Sequence, residues 1–196
     1  MNYRNVEFNY QGTSYSIELK YDLFKYADLV VDSPKVRKWC QDGCPNYNNN
    51  GGCPPFSPTA EELLLHKDFI LLTAKVSTDK IPGEPMEKSK FIEGLLCSYM
   101  DGLGYKIKEV YAVDFLNPGH CRGCEECTIE NGCKNQDRRV YSITGLGILL
   151  GETIERLFKD KLQWFTVDSA PPYVIKIMAF LPNGQNRTIL EALKHV

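Results

Sequence analysis

Phe69-Ile-Leu-Leu-Thr-Ala-Lys-Val76 is the stretch that decides the fold. An almost unbroken apolar run of this length reads as a buried strand. Ser77 to Pro85 reads as a loop. Glu87 to Leu103 reads as an amphipathic helix, because Phe91, Ile92, Leu95, Leu96, Tyr99, Met100 and Leu103 recur at helical spacing. Gly102 and Gly104 supply its stop signal. Cys97 falls on the other side of that helix, with Lys90, Glu93 and Asp101. That placement predicts a surface or interface thiol, with a ligand role as the alternative. Lys108 to Leu116 reads as a second strand. Strand, helix, strand favours a right-handed crossover and a parallel pair.

Working outward, Tyr3 to Leu19 reads as a hairpin turning at Gln11-Gly12-Thr13. Tyr21 to Val31 reads as a short helix with an extended end. Ser57-Pro-Thr-Ala-Glu-Glu62 opens a helix ending near Lys67, with Thr59 as N-cap and Glu62 completing a capping box. His66 belongs on its solvated side. Ser142 or Thr144 caps a later helix that runs to Phe158 and buries Ile143, Leu146, Leu150, Ile154 and Leu157. The start of that helix is expected to point at the cysteine loop. Gly145-Leu-Gly147 is no dinucleotide fingerprint, since no strand precedes it and the third glycine is misplaced. Gln163 to Val167 and Tyr173 to Leu181 read as an antiparallel pair, and Thr188 to Val196 as a terminal helix. His195 sits near the end of that helix, where a cation suits the dipole. The expected fold class is α/β or α+β: a mixed sheet with packed helices and two cysteine-rich loops at one end. The chain is expected to be a single domain over 1–196, with an N-terminal hairpin at 3–20 and cysteine loops at 36–58 and 117–139.

The second of those loops carries the chemistry. Asn117-Pro-Gly-His-Cys-Arg-Gly-Cys-Glu-Glu-Cys-Thr-Ile-Glu-Asn-Gly-Cys133 places cysteines at 121, 124, 127 and 133, a C-x2-C-x2-C-x5-C run. A thiolate every third residue lets a short loop curl round an inorganic core. Bacterial ferredoxins hold [4Fe–4S] clusters with the closely similar C-x2-C-x2-C-x3-C. A zinc site usually has two separated C-x2-C knuckles, so the spacing favours iron–sulfur over zinc. Gly119, Gly123 and Gly132 would allow the positive backbone angles of such a curl. Lys134, Arg138 and Arg139 follow, and cations there would offset an anionic cluster. Cys40, Cys44 and Cys53 form a turn-rich second group, with Cys44-Pro45 and Cys53-Pro54 pairs. Three thiols make either an open metal site or one completed from elsewhere, with Cys97 a candidate.

Composition narrows the class. The chain has 196 residues, 43% of them hydrophobic, and a formal net charge of −2. That balance offers no electrostatic case for nucleic acid or an anionic membrane. Eight cysteines without an apolar leader predict a reducing, cytoplasmic setting and metal ligation in place of disulfides. No apolar run is long enough to span a bilayer.

Val36-Arg37 to Cys40, Cys44-Pro-Asn-Tyr47, Cys53-Pro-Pro-Phe-Ser-Pro58, and His120-Cys121-x2-Cys124-Glu-x-Cys127 with Cys133 carry a resemblance. From about Val36 to Phe165 the chain resembles a family of predicted cysteine-rich metal-binding proteins of unknown function, found in bacteria and archaea, many of them anaerobes. The resemblance implies a metal or iron–sulfur cluster on cysteines at Cys40, Cys44, Cys53, Cys121, Cys124, Cys127 and Cys133. It implies no reaction. The chain departs from the family after Cys133. Asn135-Gln-Asp-Arg-Arg-Val-Tyr-Ser-Ile-Thr-Gly stands where the family often has a proline- and arginine-containing stretch and then Ser-Met-Glu-Ala.

Three functions follow as expectations. The first is an iron–sulfur protein of electron-transfer or accessory redox type, with one cluster on Cys121, Cys124, Cys127 and Cys133, a second on the other group, and a redox partner protein. The second is an enzyme of reductase or sulfur-transfer type, using an open site on three cysteines, with His120, Asp42, Tyr47 and Asp114 as nearby polar groups. The third is a zinc-stabilised protein-interaction module.

Overall fold

The computed structural model describes residues 1–195. Its six strands are β1 (Asn2–Tyr10), β2 (Thr13–Lys25), β3 (Asp68–Ser77), β4 (Asp114–Asn117), β5 (Tyr141–Ser142) and β6 (Tyr173–Leu181). Its five α-helices are α1 (Ser33–Gly43), α2 (Ala60–Leu64), α3 (Pro85–Tyr111), α4 (Leu150–Phe158) and α5 (Asn186–Ala192). The strands form one mixed sheet in the order β1-β2-β3-β6-β4-β5, so the expected mixed α/β class holds.

The run at Phe69 is indeed a buried strand, and the sheet has a core on each face. Ile70, Leu72 and Ala74 point to one side, where Ile92, Leu95, Leu96, Met100, Leu103 and Ile107 of α3 cover them. Phe69 and Leu71 point to the other side, among Ala60 and Leu64 of α2 and Ile154 and Phe158 of α4. Alternate strand residues serving two buried layers explain why the sequence there is apolar without alternation.

Several sequence expectations give way to tertiary pairing. Tyr21 to Lys25 continues β2 and is not helical, because these residues pair with Asp68 to Leu72 of β3. A short 3-10 turn, Tyr26–Asp28, follows. The first cysteine stretch is not a loop throughout: α1 carries Val36 to Gly43, so Cys40 stands on a helix and Cys44 caps its end. The capping box at Thr59 and Glu62 is present, but α2 stops at Leu64. α3 does not end at Gly102 and Gly104. It continues to Tyr111 and is capped by Ala112 in the left-handed region, so Lys108 to Tyr111 is helix and not strand.

Gly104 is instead a packing residue. A Cβ there would lie 2.4 Å from the Phe115 ring, so only glycine lets β4 approach α3 this closely. β3 and β4 run in the same direction, as the crossover predicts, but β6 lies between them, antiparallel to both. With both its edges taken, β6 has no place for Gln163 to Val167, which form no strand and leave Trp164 and Val167 largely exposed. In place of a long helix a 3-10 turn, Thr144–Leu146, follows; its N-cap is Ile143, and the Ser142 hydroxyl accepts from the Gly145 N–H. α4 begins only at Leu150; just before it the Leu149 N–H donates to the Val30 carbonyl, and it is the earlier Ser142 and Ile143 N–H groups that donate to the Gly52 and Asn117 carbonyls of the two cysteine segments. α5 occupies Asn186–Ala192, and of the expected terminal helix Val196 lies outside the described residues. No helix among the described residues is long and apolar enough to cross a membrane.

Candidate metal centre

β4 ends at Asn117 and releases the chain into the second cysteine loop. Asn117 is fully buried, and its side-chain N–H donates to the His120 carbonyl at 3.2 Å, tying down the loop's entry. Gly119 and Gly132 take positive φ, 94° and 92°, where the loop enters its curl and before Cys133. Gly123 does not take positive φ. Its glycine is required for space, since a Cβ would lie 2.6 Å from the Arg138 carbonyl oxygen.

Cys121, Cys124, Cys127 and Cys133 all line one cavity of about 280 Å3, together with Asn50 and Gly51 from the first cysteine segment. Two of these sulfurs already accept N–H groups. The Gly51 backbone N–H donates to Cys127 Sγ at 3.3 Å, and the Asn135 side-chain amide donates to Cys124 Sγ at 3.2 Å. Such donors stabilise a thiolate and tune a metal bound to it. Lys134, Arg138 and Arg139 line the same cavity. Arg139 is committed to holding the fold: Nε donates to the Gly51 carbonyl and Nη2 to the Phe56 carbonyl, each at 2.8 Å. Arg138 lies 4.9 Å over the Tyr105 ring.

The first group has a different character. Cys53 is buried, and burial pushes its thiol up to about 12, with Cys44, Cys40, Cys121 and Cys127 pushing the same way. Cys40 is raised by burial and by Cys44, and only Arg37 opposes this. These thiols therefore lie near one another and near part of the second group, in surroundings that disfavour negative charge. A bound cation reverses that preference and deprotonates its ligands. Arg37, one turn before Cys40, donates to the Ser57 carbonyl through Nη2, while its buried Nε has no partner.

The two segments are joined by Asn50, which is 6% exposed. Its Nδ2 donates to the Cys121 carbonyl at 3.0 Å, and its Oδ1 accepts from the N–H groups of Cys121 at 3.0 Å and Gly52 at 2.9 Å. Asn50, Gly51 and Asn135 were not singled out by sequence reading, which followed sulfur. The available signal was the Asn48-Asn-Asn-Gly-Gly52 run, where an asparagine can serve turn and neighbour at once.

Cys97 is buried, contrary to the surface expectation. The Pro118 carbonyl lies 4.0 Å from its sulfur, and the charges that bear on it are Arg122, Lys176, Glu93 and Asp101. None of these belongs to the Cys40, Cys44 and Cys53 group. The chain entering the cysteine loop covers that side of α3. Arg122 holds it there with a two-pronged contact to Asp101, through Nε at 2.5 Å and Nη2 at 2.8 Å.

Of the polar groups considered for acid–base work, Asp42 pairs with Lys38 and Asp114 with Lys108. His120 is half-buried, and burial, then Arg122, lowers its pKa. His66 is exposed, and His195 pairs with Glu191 on α5. Among the described residues, no three His, Cys, Asp or Glu side chains stand close enough together to hold a metal ion as they are placed. The donor set nevertheless suits a thiophilic metal: four thiols on one cavity, N–H donors to two of them, and a basic wall. Metal sites of this type are completed by the metal, which gathers ligands from a loop that is not fully formed without it.

Comparison with known families bears this out at the level of class. Residues 23–178 match the family described as "Predicted metal-binding protein (DUF2284)", and the chain belongs to that family. A comparison with curated proteins finds no match. A comparison with solved structures finds none.

Proposed function

We propose that this protein binds an iron–sulfur cluster through Cys121, Cys124, Cys127 and Cys133 and serves electron transfer or an accessory redox role. The observation that carries the reading is one cavity lined by all four thiols, with N–H donors already directed at Cys124 and Cys127. The spacing of the run supports iron–sulfur over zinc. Bound there, a [4Fe–4S] cluster supplies one-electron chemistry. The chain's own residues hold and tune it. Gly51 and Asn135 donate to sulfur, and the basic residues offset the anionic assembly. Cys40, Cys44 and Cys53 would hold a second metal or cluster. Cys124 and Cys127 are exposed, which leaves that rim open to a redox partner protein.

The test is anaerobic purification with iron and sulfide analysis, and electron paramagnetic resonance after reduction. The expected result is a brown protein with about four irons per cluster. Cys133→Ser abolishes the main signal and Cys97→Ser leaves it. Colourless protein carrying stoichiometric zinc would end the iron–sulfur reading.

A further inference from the structure

We infer that Asn50 couples the two cysteine segments, so that metal loading of one promotes loading of the other and the two fill as a unit. This rests on the reading that both groups bind metal. It does not depend on which metal they bind.

The chain from Pro45 to Phe56 contains no helix or strand, and neither does the chain from Cys121 to Thr128. What fixes the first relative to the second is a small set of bonds with Asn50 at the centre. One carboxamide reads both backbone groups of Cys121 and also closes the turn at Gly52. Gly52 cannot carry a side chain, since a Cβ would sit 2.4 Å from the Val140 carbonyl oxygen and 2.8 Å from Cys121 Cβ. The Gly52 carbonyl accepts from the Ser142 N–H at 2.8 Å, which ties the same strip to β5. Gly51 then delivers its N–H to Cys127. Cys53, two residues on, belongs to the other ligand group. Movement of the Cys121 backbone therefore moves Asn50, and movement of Asn50 moves Gly51 to Cys53.

A metal that orders one segment lowers the ordering cost at the other, which is positive coupling without a second conformation of the sheet. Asn50 is a positioning residue in this scheme and touches no metal. Its amide is required in both senses, as donor and acceptor. Asn50→Asp keeps the two accepted bonds and loses the donation to Cys121. Asn50→Ala loses all three.

The experiment is an anaerobic titration of the reduced full chain with cobalt(II), read by native mass spectrometry and by the thiolate–cobalt absorption. In the wild type at half-saturation, empty and doubly loaded molecules are expected to outnumber singly loaded ones. In Asn50→Ala the singly loaded form is expected to predominate, with Asn50→Asp between the two. Disabling the first group with Cys44→Ser is expected to weaken cobalt binding at the second loop about tenfold when Asn50 is present, and to leave it unchanged in the Asn50→Ala background. A merely structural asparagine would lower both affinities and leave no such difference between backgrounds. If Asn50→Ala does not fold, the wild-type loading pattern, Asn50→Asp and Cys44→Ser carry the test. Statistical loading in the wild type overturns the coupling and leaves metal binding standing. Absence of cobalt at both groups overturns the metal reading itself, and the coupling with it.

Discussion

The sheet and the cysteine end are held together by different physics. Around β3 and α3 the chain is regular, apolar on both faces of the sheet, and its facing side chains are buried: Ile70, Leu71, Leu72, Leu95 and Leu96 are all 0% exposed. At the cysteine end the backbone is irregular, and its position depends on single polar side chains. Asn50, Arg139 and Arg122 each bridge segments far apart in sequence, two of them by bonding to backbone and the third through Asp101. Hydrophobic burial is non-directional and tolerant, whereas a carboxamide or guanidinium fixes geometry at a few named atoms. The frame is therefore expected to hold without a metal, and the cysteine end to be shaped by it.

That contrast can be broken by separating metal content from stability. The largest effect is expected from Cys124→Ser and Cys127→Ser. Each should remove nearly all cluster absorbance and bound iron, while circular dichroism of the metal-free form shows the sheet and α3 intact. Joint loss of the cluster and the fold would mean that the frame is not independent.

Gly104→Ala is the converse probe. Its Cβ would meet the Phe115 ring at 2.4 Å, in the buried core. Overpacking at such a site costs about 3 kcal/mol, which should appear in a urea titration of the metal-free protein. Iron stoichiometry should remain at the wild-type value. An unchanged unfolding midpoint would show that α3 and β4 are not packed so closely.

Alkaline pH sharpens the comparison further. Burial pushes the Tyr99 hydroxyl up to about 12, and that hydroxyl has no hydrogen-bond partner. The unfolded tyrosine ionises near pH 10, before the folded one does. Between the two values the unfolded state binds fewer protons, so stability falls as pH rises, by an amount on the order of 2 kcal/mol by pH 12. Tyr99→Phe should flatten that part of the stability curve and leave the metal signal alone. Identical alkaline curves for the two proteins would sink this assignment.

The smallest effect belongs to Arg139→Lys. An ammonium cannot donate to Gly51 and Phe56 in the planar fork that Arg139 uses. The loss is about 1 kcal/mol and should be confined to faster amide exchange over residues 50 to 57, with the core amides unchanged.

How much of this was legible beforehand follows the same division. The Phe69 strand, the β1–β2 hairpin, the first turns of α3 and the Thr59 cap each carry a local pattern, and each stands in the structure where that pattern places it. The ends of elements were not. Gly104 looked like a stop because a glycine's packing partner is invisible without the neighbouring chain. Gln163 to Val167 looked like a strand because alternation cannot reveal that β6 already has β3 and β4 on its edges. Cys97 looked exposed because helical spacing reports which face opposes the main core, not what a later loop lays across the other side.

By itself, the sequence established a mixed α/β chain with two thiol groups and a spacing suited to a metal, because periodicity and ligand spacing are local properties. Only the tertiary structure decided that β6 enters between β3 and β4, that Cys97 is sealed behind Pro118, and that Asn50 clasps Cys121. Each of these depends on contacts between residues distant in the chain, which are selected by burial and by the need to satisfy backbone hydrogen bonds.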